Sequence, residues 1–197
     1  MKSVEDMVID RINKTPKGKL IFPEDFQSFG SSEAIRISLH RLEKNKQITR
    51  VAQGIYVRPK VSKYIGEVMP SIEEIAKGIA KRDKIRIVPT GVYALNMLGL
   101  STQVPVKLVF LTDGAPRTIK IGKQTLKFKK TTPKNLMAKG EISSLAIQAL
   151  REIGKENVTE KEEEKVISLL KKEKRELLEH DILLAPVWIQ KIMKKAL

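Results

Sequence analysis

The fold of the N-terminal part of the chain is decided by residues 32–59, which read SEAIRISLHRLEKNKQITRVAQGIYVRP. Ile35, Leu39 and Leu42 recur at the spacing of one helix face, so a helix is predicted from Ser32 to about Lys46. The opposite face carries Arg36, Ile37, His40, Arg41 and Lys44. Two runs of branched residues then flank Ala52-Gln53-Gly54, which predicts a β-hairpin.

The residues before this stretch add the remaining parts of a small domain. Residues 3–14 have apolar positions at helical spacing, with Ser3 as a plausible N-cap. A turn at 15–19 and a short strand at 20–22 follow, and Pro23 opens a short second helix. The order of helix, short strand, helix, helix and hairpin predicts a winged helix-turn-helix over residues 1–60.

The residues after the 32–59 stretch predict a second, mixed domain. Residues 61–71 are interpreted as a linker, and 72–197 as an α/β domain that ends in helices. Its predicted strands lie at 85–88 and 107–112 and in a hairpin over 117–129; its helices lie at 72–82, at 91–100 and after Pro133. The fold class is therefore predicted to be α+β.

Net charge indicates a polyanionic partner. The 197-residue chain carries a formal charge of +15 at pH 7, and lysine and arginine neutralise phosphates with release of counterions. Residues 1–60 hold 12 basic against 7 acidic residues, 61–140 hold 15 against 5, and 141–197 hold 11 against 11. A nucleic-acid footprint is therefore expected within the first 140 residues.

The predicted recognition helix and hairpin supply the candidate DNA-contacting residues. Arg36 and His40 project from the side expected to face the major groove, where arginine pairs with guanine. The full predicted set is Ser31, Ser32, Arg36, His40, Arg41, Lys44, Arg50, Gln53 and Arg58. Its alternative is a solvated basic face on a structural domain.

A second candidate surface lies on the hairpin of the C-terminal domain. Alternation places Lys127 and Lys129 on one strand face and Leu126 and Phe128 on the other. Together with Arg117 and Lys120, these lysines are predicted to form a secondary phosphate-binding strip. The alternative is a charged outer face that protects an edge strand from aggregation.

Other classes of function have little support in the sequence. The chain has no cysteine and two histidines, so we expect no metal site, and no Walker or dinucleotide motif indicates a cofactor. His180-Asp181 has no nucleophile beside it in sequence and is interpreted as a helix end. We expect a regulator, not an enzyme. No apolar run approaches the length of a membrane span, so we expect a cytoplasmic protein without a membrane partner.

Two segments resemble a known family. Residues 32–59 look like the N-terminal winged helix of AbiEi-type antitoxins, which are regulators from bacterial type IV (abortive-infection) toxin–antitoxin systems. The stretch VPTGVYALNMLGLSTQVPVKLVFLTDGAPRTIKIGKQTLKFKK, residues 88–130, resembles the start of that family's C-terminal domain. The family pattern matches Arg36, Arg41, Arg50, Gly54 and Tyr56 most plainly. The family often has glycine where this chain has Lys46.

The resemblance implies a function. The protein would bind inverted repeats of double-stranded DNA in its own promoter, repress the operon, and counter a nucleotidyltransferase-like toxin without a stable complex. An RNA-binding or protein-interaction regulator that uses the basic 61–140 surface is the alternative. In a further hypothesis, the balanced tail 141–197 docks the toxin, with Trp188 as an anchor or as part of the core.

Overall fold

A computed structural model describes residues 2–64 and 66–197 of the protein. The chain divides into two compact units, residues 1–78 and 79–197. Helices and sheets occur in both units, and the predicted α+β class is confirmed.

The first unit begins with the elements that the sequence predicts. They are α1 (Val4–Lys14), β1 (Leu20–Ile21), a 3₁₀ helix (Pro23–Phe29), α2 (Ser32–Lys44), β2 (Thr49–Ala52) and β3 (Ile55–Val57). Ser3 caps α1 through the amide of Asp6, whose carboxylate accepts from the Ser3 amide in return, a capping box. The predicted second helix is of the 3₁₀ type: Pro23 starts it, and it ends after seven residues at Gly30.

The three strands form a small antiparallel sheet of order β1-β3-β2. Helix α1, the 3₁₀ helix, α2 and β3 enclose one apolar core, whose fully covered side chains include Val8, Phe26 and Leu39. Burying one such side chain contributes roughly 1.5–3 kcal/mol. The core therefore fixes which face of α2 stays in solvent.

The segment predicted as a linker, 61–71, differs in the structure. Strands β4 (Lys60–Ser62) and β5 (Gly66–Val68) pair there as an antiparallel hairpin, while Ile65 lies outside the described residues. Three-residue strands are too short to show a periodicity, so they could not be predicted from the sequence. The division between the two units falls instead within α3 (Ile72–Asp83).

The second unit contains a four-stranded sheet of order β6-β7-β9-β8. Its elements are β6 (Ile87–Thr90), α4 (Val92–Met97), β7 (Lys107–Thr112), β8 (Arg117–Ile121) and β9 (Gln124–Lys130). Strands β7 and β9 are parallel, and the other two pairs are antiparallel. Helix α4 has six residues, shorter than the predicted 91–100.

Helices complete the second unit. A 3₁₀ helix (Pro133–Leu136), α5 (Glu141–Ile153), a second short 3₁₀ helix (Lys155–Asn157), α6 (Glu160–Leu170), α7 (Arg175–Ile182) and α8 (Val187–Lys194) follow β9. Helix α5 is the centre of this layer, since its Ala146, Ala149 and Leu150 are fully covered. Trp188 is half-buried and packs against the same cluster, as core packing predicts.

Candidate nucleic-acid interface

Helix α2 presents the exposed face that the sequence predicts. Ile35, Leu39 and Leu42 are at most 2% exposed. The side chains on the opposite face, Arg36, Ile37, His40, Arg41 and Lys44, are all exposed. Because the apolar stripe is fixed in the core, the cationic residues keep one orientation relative to the rest of the unit.

The start of α2 exposes two serine hydroxyls. Ser31 is the N-cap, and its Oγ accepts from the Ala34 amide at 3.2 Å. Accepting this bond uses a lone pair, so the hydroxyl proton of Ser31 stays available to an anion. Ser32 is exposed at the first helical position. Both serines lie at the positive end of the helix dipole, where phosphates are stabilised.

Arg36 is available for a ligand. No carboxylate of the described residues pairs with its guanidinium, and the side chain lines a shallow groove between the 3₁₀ helix and α2. Pro23, Glu24, Gln27 and Ser32 also line this groove, so its lining includes one carboxylate. A bidentate donor beside a helix N-terminus suits recognition of a guanine edge or a phosphate.

Two other residues of the exposed face of α2 have carboxylate neighbours. Arg41 Nη1 lies 2.7 Å from Glu5 Oε2 on α1, and His40 Nδ1 lies 3.9 Å from Glu43 Oε2. The Arg41 side chain is still 61% exposed, so the pair with Glu5 leaves part of the guanidinium open to solvent. The sequence did not reveal the Glu5 contact, because the residues are 36 positions apart.

The β2–β3 hairpin exposes only part of its predicted set. Arg50 and Gln53 are exposed beside Gly54, whose φ of +68° is the left-handed conformation that the turn requires. Arg58, however, donates from Nη1 to the carbonyl of Asn13 at 2.9 Å and holds the end of α1. Part of the Arg58 guanidinium therefore supports the fold, and a contact of its remaining donors with DNA stays a prediction. Tyr56 on β3 is buried.

A second cationic surface lies on the sheet of the C-terminal unit. Lys107 and Lys120 both pair with Thr125, and Lys127 and Lys129 follow Thr125 at alternate positions. Paired residues share a face, so the lysine face comprises Lys107, Lys120, Lys127 and Lys129. None of these lysines has a carboxylate partner among the described residues. Lys107 was not in the predicted strip, because the sequence does not reveal that β7 pairs with β9.

Arg117 does not belong to the lysine face. Its register partner is Phe128, and its guanidinium lies 5.1 Å from the centre of that ring. The guanidinium also forms an ion pair with Asp83. The prediction that Arg117 binds phosphate with the lysines is therefore wrong, because alternation along β8 turns its side chain to the opposite face of the sheet.

Buried Ser143 and Asp181 form a polar cluster with half-buried His180 at the start of α5. Asp181 accepts from Ser143 Oγ at 2.5 Å and lies 2.7 Å from His180 Nδ1. The serine hydroxyl bonds to the carboxylate and not to the imidazole, so the imidazole is not placed to activate it as a nucleophile. The amides of Lys139 and Gly140 also donate to Asp181, which makes the cluster a cap for the helix.

Across residues 2–64 and 66–197, histidines and carboxylates form no group of three or more with the geometry to hold a metal ion. In the same part of the chain, no helix combines the length and apolar character of a membrane span.

The fold and the two cationic surfaces define a class: a two-unit α+β protein with exposed cations on a helix face and on a sheet face. The chain belongs to DUF6088, a family of unknown function whose profile matches residues 7–178. A search of curated proteins finds no match. Among solved structures, the RV2827C protein from Mycobacterium tuberculosis is similar at a TM-score of 0.48 and 10% identity, covering 96% of this chain and 80% of that chain.

Proposed function

We propose that the first unit is a winged helix-turn-helix that binds double-stranded DNA, with α2 as the recognition helix. The observation that carries the proposal is the exposed face of α2, where Arg36 and Lys44 have no carboxylate partner among the described residues. Ser31 and Ser32 at the start of the helix, and Arg50 and Gln53 on the hairpin, are also exposed and offer further donors in the same unit. A recognition helix contacts base edges in the major groove with its N-terminal residues, and α2 exposes Arg36 near its N-terminus.

The biological role that fits this surface and the resemblance is that of an AbiEi-type antitoxin. Such a protein represses its own operon and counters a nucleotidyltransferase-like toxin. The lysine face supports the proposal as a second, sequence-independent phosphate contact. An RNA-binding role has less support, since Phe110 and Phe128 are buried and do not offer a stacking surface.

The test is a mobility-shift titration with duplex DNA from immediately upstream of the gene and random duplex as competitor. Arg36→Ala is expected to weaken specific binding roughly 10- to 100-fold, because one bidentate base contact is worth about 1–3 kcal/mol. Arg175→Ala is the matched control, since Arg175 is an exposed arginine in the charge-balanced tail. If Arg36→Ala and the control bind the upstream duplex with equal affinity, α2 is not the recognition helix.

Glu5→Gln provides a complementary gain-of-function variant. It removes the carboxylate that competes for Arg41, so binding to any duplex is expected to strengthen by a few-fold, with a stability loss below about 1 kcal/mol for an exposed pair. Unchanged or weaker binding by Glu5→Gln would show that Arg41 does not reach a phosphate.

The antitoxin role is tested separately, by growth of cells that also express the toxin. Co-expression with a neighbouring nucleotidyltransferase-like gene should restore growth, and Arg36→Ala should relieve repression while growth rescue is retained. Failure of the wild-type protein to restore growth would overturn the antitoxin role and leave DNA binding to be judged by the titration.

A further inference from the structure

Two stretches of the first unit carry basic residues without any acid. Residues 11–23 hold four lysines and arginines, residues 44–66 hold six, and neither stretch contains aspartate or glutamate. The surfaces of soluble proteins usually intersperse charges of both signs. Positive charge is therefore concentrated wherever the fold brings these two stretches together.

Hydrogen bonds join the two stretches at the turn between α1 and β1. Arg58 Nη1 donates to the Asn13 carbonyl at 2.9 Å, and the Gly18 amide donates to the Arg58 carbonyl at 2.8 Å. The Lys60 side chain lies over the same turn, because a Cβ at Gly18 would come within 2.5 Å of Lys60 Cε. The start of β4 is thereby held against the end of α1.

The basic side chains around this junction face solvent. Lys17 and Lys19 flank Gly18, and Lys14 is the last residue of α1. These three lysines are exposed, as is Lys60. We call the set the turn patch: Lys14, Lys17, Lys19, Arg58 and Lys60.

Internal contacts account for only one member of the turn patch. Arg58 supports the end of α1, whereas Lys17, Lys19 and Lys60 form no ion pair with a carboxylate of the described residues. Like charges held together without acids repel one another and destabilise the compact state. A polyanion removes this repulsion and releases its own counterions.

We propose that the turn patch binds backbone phosphates of duplex DNA. The inference rests on the proposed function, since the same unit carries α2. Lysine is a compact point charge on a flexible stem, which suits phosphates that carry no sequence information, whereas the planar donors of Arg36 suit a base edge. The turn patch therefore adds affinity for any duplex and leaves the preference for one sequence to α2.

The test is a titration of the full-length protein with a random duplex at several salt concentrations. The triple variant Lys17→Gln, Lys19→Gln, Lys60→Gln is expected to lower the slope of log K against log salt by about 2 to 3, since each phosphate contact contributes about 0.9. The control is the exposed triple variant Lys161→Gln, Lys171→Gln, Lys194→Gln, which removes the same charge from the balanced tail. A slope that falls no more in the turn-patch variant than in the control would overturn the proposal.

The double variant Lys17→Gln, Lys19→Gln keeps the test decisive if the triple variant does not fold. It leaves the Lys60 side chain over Gly18 and should lower the slope by up to about 2. A slope equal to that of the wild type would overturn the proposal.

The same titrations separate the turn patch from α2. If the triple variant binds random and upstream duplexes more weakly by the same factor, and the wild type does not prefer the upstream duplex, the turn patch is supported and the assignment of α2 fails. If Arg36→Ala loses the preference and the triple variant binds like the control, the assignment of α2 is supported and the turn patch fails.

An anionic lipid surface is the other polyanion that such a patch could meet. Vesicles of phosphatidylserine and phosphatidylcholine are therefore titrated in parallel. If the triple variant loses binding to vesicles and keeps wild-type affinity for the duplex, the proposal is overturned in favour of a membrane surface.

Discussion

At the scale of one residue, Lys46 has a backbone conformation that is unfavourable for a residue with a side chain. It follows the end of α2 with φ of 56°, the left-handed region that favours glycine. The resemblance to antitoxins with glycine at this position pointed to the same place. The resemblance therefore indicated where the helix ends, although a lysine at this position does not by itself indicate a left-handed conformation.

We predict that Lys46→Gly stabilises the protein by about 0.5 kcal/mol. Relief of the left-handed conformation gains roughly 1–2 kcal/mol, and the greater freedom of glycine in the unfolded chain costs about 0.4–1 kcal/mol. Urea unfolding at pH 7 measures the difference. Asn45→Gly is the control, because Asn45 has φ of −83° and gains no relief. A stabilisation of the same size in both variants would contradict this explanation.

Arg58 and Arg117 show what single residues in a sequence do not reveal. Both were predicted to contact phosphate, and both are held by groups far away along the chain: the Asn13 carbonyl and the Asp83 carboxylate. A positive side chain is equally suited to a phosphate and to an internal partner. Only the tertiary fold decides between these roles, whereas Arg36 has the predicted exposure because helical spacing alone determines its face.

At the scale of elements, local patterns predicted α2 and the β2–β3 hairpin, because each has a periodicity and a turn signal within a few residues. They did not predict that β7 and β9 would be parallel neighbours with β8 at the edge. That order depends on pairing across the intervening chain. It also decides which lysines share a face, so the composition of the lysine face could be predicted only in part.

The capping of the N-terminus of α5 could not be predicted from the sequence. Gly140 offers no side chain at the N-cap, and the carboxylates of Asp181 and Glu173 accept the first amides instead. A Cβ at Gly140 would lie 2.3 Å from Ser143 Oγ and 2.5 Å from Glu173 Oε2, so a larger residue there would displace the groups that cap the helix. Helices α5 and α7 are thereby joined through buried polar contacts.

We predict that Asp181→Asn destabilises the protein by about 2–3 kcal/mol at pH 7, since hydrogen bonds to a buried charge are lost. Burial alone would raise the pKa of Asp181, but bonds from Ser143, His180 and two amides outweigh it and lower that pKa. A lowered pKa stabilises the fold above the unfolded value of about 3.9, and the contribution is lost as pH falls through the folded pKa.

Urea unfolding from pH 7 to pH 3 tests this prediction. The difference in free energy of unfolding between wild type and Asp181→Asn should shrink toward the acidic end. Glu176→Gln, an exposed acid on the same helix, is the control and should change stability by less than about 0.5 kcal/mol. If the difference in free energy of unfolding does not change with pH, Asp181 contributes through its shape and not through its charge.

At the scale of the whole molecule, the charge is divided between surfaces with different expected effects on binding. The exposed face of α2 would read bases, whereas the lysine face would contact backbone phosphates only. Each phosphate neutralised contributes about 0.9 to the slope of log K against log salt. Loss of lysines from the sheet should therefore change salt dependence and general affinity, while loss of Arg36 should change the preference for one sequence.

We predict that the triple variant Lys120→Gln, Lys127→Gln, Lys129→Gln lowers the salt slope of duplex binding by up to about 3 and weakens specific and random duplexes alike. These lysines have no carboxylate partner among the described residues, so their removal leaves no acid unpaired. Titrations at several salt concentrations measure the slope. The control is the exposed triple variant Lys161→Gln, Lys171→Gln, Lys194→Gln, which removes the same charge from the balanced tail. If both triple variants lower the slope equally, net charge alone is responsible; if only the sheet variant does, the lysine face contacts the backbone.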